Sequence, residues 1–128
     1  MGNIIKVLLA IRPRLLAEVV RHFVARQPDM VVVGEVADPN DLLLAIGVTE
    51  AEVVIITPAV LDRELSICSD LLLAYPQVKI MALSAKGDTA VLYESGSAQK
   101  HMDDVGEAAI LDAIREFRLL DNGLYMFR

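Results

Sequence analysis

"IKVLLAIRPRLLAEVV", residues 5–20, is the stretch that decides the fold. Its first half is a continuous apolar run rich in β-formers, the pattern of a strand covered on both faces. Its second half changes period. From Pro13 to about Ala25, Leu15, Leu16, Val19, Val20, Phe23 and Val24 recur on one helical stripe, with Arg14, Glu18, Arg21 and Arg26 mostly outside it. A strand that passes through a short joint into a helix is the building unit of a parallel sheet. The joint, Ile11-Arg12, lies at the carboxyl end of the strand, where open α/β sheets gather their chemistry.

The same alternation runs on along the chain. Asp29–Val36 reads as a second strand, and "DPND" follows it with Asp38 as N-cap, Pro39 at the first helical position and Asp41 in the first turn. A short helix over about Asn40–Val48 is expected, then a third strand at Val53–Thr57. Leu65, Cys68, Leu71, Leu72 and Tyr75 mark a third helix stopped by Pro76, and "VKIMALS" a fourth strand. A weak fourth helix is expected at Thr89–Glu94, ending at Gly96, and the most polar strand at Ser97–Met102. "DVGE", residues 104–107, approximates a capping box and opens a helix with Ala108, Ile110, Leu111, Ile114 and Phe117 facing inward. Five strands alternating with five helices predict a doubly wound, five-stranded parallel sheet.

Bulk composition narrows the class. At 128 residues the chain fits one domain with a sizeable core. Its hydrophobic content of 55% and mean hydropathy of +0.48 are high, yet Pro, Gly or charge interrupts every apolar block. The strongest block, "VVIITPAVL", is far short of the roughly 20 residues that a spanning helix needs. The opening "MGNIIKV" lacks the pattern of a secretory signal, and the lone Cys68 can form no internal disulfide, so a cytoplasmic domain is expected. A net charge of −6 argues against a nucleic-acid footprint on this domain. His22 and His101 have no metal-ligand spacing with each other or with Cys68, and no glycine-rich phosphate motif is present.

The stretches "IKVLLA…LLAEVVRHF", "PDMVVVGEVAD", "EVVIIT", "YPQVKIMALSA" and "AILDAIREF" resemble a response-regulator receiver domain, above all those that precede a helix-turn-helix DNA-binding output domain. The resemblance covers about Ile4 to Phe117 and is carried by framework residues. It implies a flavodoxin-like (βα)5 fold, here with a shortened fourth helix because "AKGDTAVLYES" falls about one helical turn short. A working receiver would hold magnesium with an acid pair after the first strand and take phosphate on an aspartate ending the third. A hydroxyl residue would end the fourth strand and a lysine the fifth.

In this chain the resemblance places Ile11 and Arg12 at the acid pair, Thr57 at the phosphoacceptor, Ser84 at the hydroxyl and Asp103 at the lysine; Lys100 takes the position of a switching aromatic. Lys100 could serve as the missing lysine only if the fifth strand were shortened. No shift of register supplies the acids, since residues 3–16 contain no carboxylate. Magnesium demands oxygen ligands, and an acyl phosphate requires a carboxylate nucleophile. Aspartyl phosphotransfer is therefore excluded, and no cofactor, metal or catalytic residue is expected. The exchanged signs of Arg12 and Asp103 suggest a clamp in which Arg12 spans the former pocket to Asp103 or Asp104; the alternative is an Arg12 that simply faces solvent.

The expected reading is a pseudo-receiver at residues 1–120, followed by a tail or linker at 121–128. It acts as a phosphorylation-independent interaction or dimerisation module in bacterial signalling or transcriptional control. Its partners would be a second copy, a histidine kinase or an output domain; neither a membrane nor nucleic acid is expected to bind it directly, though a DNA-binding domain could follow. A small-ligand sensor, holding a metabolite in the vacated pocket with Arg12 as anion contact, is the alternative. "NGLYM" resembles the family's junction into its linker, and the apolar Leu124–Phe127 could equally pack on the domain or on a second copy.

Overall fold

The computed structural model describes residues 4–57 and 64–123. The elements follow in the order β1 (Ile5–Ala10), α1 (Arg14–Ala25), β2 (Met30–Glu35), a 3-10 turn (Pro39–Asp41), α2 (Leu42–Thr49), β3 (Val53–Ile56), α3 (Glu64–Ala74), β4 (Lys79–Leu83), β5 (Ala90–Glu94), β6 (Lys100–Met102) and α4 (Glu107–Gly123). They build one six-stranded sheet in the order β2-β1-β3-β4-β5-β6. The pairs β1–β2, β1–β3 and β3–β4 are parallel, whereas β4–β5 and β5–β6 are antiparallel.

The α/β class is as expected; the all-parallel, five-stranded sheet is not. The residues expected to form a stunted fourth helix are strand β5, inserted between β4 and the last strand. The reason is legible in the packing. Ala90 and Leu92 enter one core while Val91 and Tyr93 enter the other, a period of two that no helix can satisfy. Five residues are also too few for a stable isolated helix, whereas β5 pairs along its whole length with β4 and over Ala90–Leu92 with β6.

Strict alternation sorts the inner strands in the same way. Ile5, Val7, Leu9, Val53, Ile55, Met81 and Leu83 face one core; Leu8, Ala10, Val54, Ile56, Ile80 and Ala82 face the other. Helices α1 and α4 cover the first face, α2 and α3 the second. In α1 the buried stripe is Ala17, Val20 and Val24, flanked by the half-buried Leu16 and Phe23. The expected stripe was thus rotated, and it leaves Leu15 and Val19 exposed. Ala108 of α4 is likewise exposed, and the inward positions are Ile110, Leu111, Ala113 and Ile114; the Phe117 side chain lies outside the described set. Asp38 caps the 3-10 turn, its Oδ1 accepting the Asn40 N–H at 2.9 Å, rather than α2 itself.

Helix α4 continues to Gly123, past the domain boundary expected at 120, and the rest of the expected tail, residues 124–128, lies outside the described residues. Among the described residues, no helix is long and apolar enough to cross a membrane.

Candidate functional site

The chain direction across the sheet switches between β1 and β3, and the carboxyl ends of β1, β3 and β4 meet there. This is where ligands bind in doubly wound sheets. Ile11 is buried in the α1-side core and offers no polar group. The Arg12 backbone N–H donates to Thr57 Oγ1 at 2.6 Å, and the Thr57 N–H donates to the Ala10 carbonyl at 3.0 Å. Thr57 is buried, so its hydroxyl serves to stitch β1 to β3.

The Arg12 guanidinium turns toward β2, where its Nη2 donates to the Ala37 carbonyl. That is away from Asp103. Strands β3, β4 and β5 all lie between β1 and β6, so the two strand ends are four inter-strand spacings apart, roughly 19 Å. The expected clamp between Arg12 and Asp103 or Asp104 is therefore not formed. The intervening β4 and the inserted β5 keep the last strand away from the β1–β3 junction. Asp103 and Asp104 are exposed, with Asp104 in the left-handed region at φ 52°.

Ser84 is committed elsewhere. Its Oγ donates to Asp88 Oδ1 at 2.9 Å and accepts the Asp88 and Thr89 N–H groups, each at 3.2 Å. Backbone bonds from the Ser84 N–H to the Thr89 carbonyl and from the Gly87 N–H to the Ser84 carbonyl close the same turn. Gly87 is required there: it sits at φ +76°, and a Cβ would come within 3.1 Å of Leu16 Cδ1 in α1. The serine that resembled an active-site hydroxyl is the pin of the β4–β5 hairpin. Lys100 lies opposite Leu92 in the β5–β6 register, and its Nζ is 3.6 Å from Glu116 Oε1 of α4, so it neither joins the strand-end site nor takes the place of a buried aromatic.

A cleft of about 440 Å³ does open at Arg12, but between the ends of β1 and β2. Ile11, Arg12, Arg14, Glu35, Val36 and Ala37 contribute to its walls, whereas Thr57, Ser84 and Asp103 do not. His22 and His101 are exposed, and the Cys68 side chain is buried in the core between α3 and the sheet. Among the described residues no group of three or more His, Cys, Asp or Glu side chains is placed to hold a metal ion.

Among the described residues, the best-formed charged contact lies at the opposite end of the sheet, and no sequence motif announces it. Arg115 of α4 grips Asp29, just before β2, through Nε to Oδ2 at 2.8 Å and Nη2 to Oδ1 at 3.0 Å, and donates to Gln27 Oε1 at 2.6 Å. The hydrogen bond from Arg115 holds the Asp29 carboxyl below the usual carboxylate range, against a smaller upward push from desolvation. Compared with models of known protein families, with curated proteins and with solved structures, the chain shows no significant match to any.

Proposed function

We propose that this chain is a receiver-like domain that works as a phosphorylation-independent protein-interaction module in bacterial signalling or transcriptional control, acting in the cytoplasm and without catalysis or a cofactor. The observation that carries this reading is the fate of the polar groups at the inner strand ends. The Thr57 hydroxyl, the Arg12 guanidinium and the Ser84 hydroxyl are all engaged with backbone or turn partners, and none is a carboxylate. An aspartyl phosphate needs a carboxylate nucleophile, where this chain has Thr57, and a magnesium cage, for which residues 3–16 supply no carboxylate. The strand order β2-β1-β3-β4, with helices on both faces, is the order of flavodoxin-like sheets and supports the resemblance up to β4. Beyond that point this chain departs from the pattern. Partners in this reading are a second copy, a histidine kinase or an output domain, including a DNA-binding domain elsewhere in the same protein.

The test is incubation with acetyl phosphate and magnesium, followed by intact mass measurement. No added phosphoryl group is expected, and acid-labile phosphate on the chain overturns the reading. The cleft beside Arg12 favours one alternative, a sensor for a small anion with an apolar body. A rise in melting temperature with short carboxylates, lost in Arg12→Ala, is the outcome that would select it.

A further inference from the structure

Helix α2, LLLAIGVT, contains no charged residue and is apolar around its whole circumference. A helix of that kind is ordinarily covered on every side. Here Leu42 and Ile46 are buried in the core, but Leu44 is 73% and Val48 74% exposed, one turn apart on the outer side. Leu73, on the outward side of the adjoining α3, is 81% exposed. Exposed acids flank these helices in the chain: Asp38 and Asp41 before α2, Glu50 after it, and Asp70 on α3. Residues 38–52 and 64–74 contain no Lys or Arg at all.

The other face of the sheet carries the complement. Leu15, 72% exposed, and Val19 lie one turn apart on α1 and, with His22 and Phe23, help line a groove of about 540 Å³. Residues 12–26 hold Arg12, Arg14, Arg21 and Arg26 against a single carboxylate, Glu18. Arg14 pairs with Glu18, Arg21 with Glu35, Arg26 with Glu107, and Glu50 with Lys6. All these pairs are solvated and weak, and so exchange readily for contacts across an interface.

We propose that the α1 face of one copy of this chain docks on the α2–α3 face of another, head to tail. The proposal rests on the interaction-module reading and names the partner. The apolar centre supplies the burial, and the basic and acidic rims supply orientation. Pairing α2 with the α2 of a second copy is disfavoured, because two antiparallel helices would bring Asp41 against Glu50. Since the two faces lie on opposite sides of the sheet, each contact leaves one free face at either end. Assembly therefore grows with concentration instead of stopping at a dimer.

Sedimentation of the full chain across a concentration series tests this, with an α2 variant (Leu44→Asp, Val48→Asp) and an α1 variant (Arg14→Glu, Leu15→Asp). All four substitutions are at exposed positions, and melting curves report whether the fold is kept. Wild type is expected to associate, less so in high salt. Each variant alone is expected to be monomeric, and an equal mixture to give a species of twice the monomer mass and nothing larger, because one intact contact remains. A wild type that stays monomeric, whether its own residues 124–128 or a different protein covers α2, overturns the proposal. So does association of either variant alone, or a mixture that stays monomeric. None of these failures touches the interaction-module reading, which falls on acid-labile phosphate.

Discussion

Thr57 and Ser84, two hydroxyl side chains at the ends of inner strands, do structural work. Each hydroxyl satisfies backbone N–H groups at a strand end: Thr57 that of Arg12, Ser84 those of Asp88 and Thr89. Removing the buried Thr57 acceptor leaves the Arg12 N–H without its partner, so Thr57→Val is expected to lower stability by about 1–2 kcal/mol, and Ser84→Ala, whose donors are exposed and can turn to water, by about 0.5–1 kcal/mol, in denaturant titrations. Because Arg12 bonds to Ala37 and stands several strands from Asp103, an Arg12→Ala/Asp103→Ala cycle should be additive to within about 0.5 kcal/mol. A coupling well above that would mean that the two side chains meet in solution. At this scale the sequence made the absences legible, since a missing carboxylate is visible in one dimension. It did not reveal where the remaining polar groups turn. Asp88 was the available signal: it lies four residues after Ser84, next to Gly87, and a hydroxyl followed by Gly-Asp belongs to a turn.

The elements with long, unmixed patterns were readable, and β1, α1, β2, β3, α3, β4 and the start of α4 fall near their expected places. The failure at Ala90–Glu94 came from length and context. "AVLYE" is short enough to suit either period, so its residues alone do not separate a short helix from a strand. What the one-dimensional pattern could not convey is that the sheet has two cores, which reward alternation on both sides. Leu92 is the sharpest probe. It is buried toward α1 and α4 in the strand, so Leu92→Ala should cost about 2–4 kcal/mol, whereas the solvent-facing Leu44→Ala should cost under about 0.5 kcal/mol. Close Hα and amide contacts by NMR between Met81 and Leu92, and between Ala90 and Met102, are the corresponding direct measurement of the antiparallel register. Sequential helical contacts over Thr89–Glu94 would contradict it.

At the scale of the molecule, α4 joins the two edges of the sheet. Glu116 faces Lys100 of β6, the edge strand on one side, while the adjacent Arg115 holds Asp29 at the entry to β2, the edge strand on the other. The Arg115–Asp29 contact spans 86 residues, and no local pattern could have paired them. Both side chains remain more than a third exposed, at 35% and 41%, so water limits the contact to about 1 kcal/mol despite its two-pronged geometry. Its pH dependence follows from the Asp29 carboxyl being held below its unfolded value. The fold favours the ionised form, so the contribution is complete above the ordinary carboxylate range, near about 3.9, and is lost as pH falls through the lower folded value. Arg115→Ala should therefore be less stable than wild type by a constant amount at neutral pH, and the difference should narrow in the acid limb below about pH 4, leaving the share that belongs to the Gln27 hydrogen bond. It should also shrink in molar salt, where screening reaches within about 3 Å. Urea midpoints of both proteins from pH 7 down to pH 2.5 measure the gap. A difference that persists unchanged at the acid end would assign the loss to the Gln27 hydrogen bond and to Arg115 packing, and not to its pairing with Asp29.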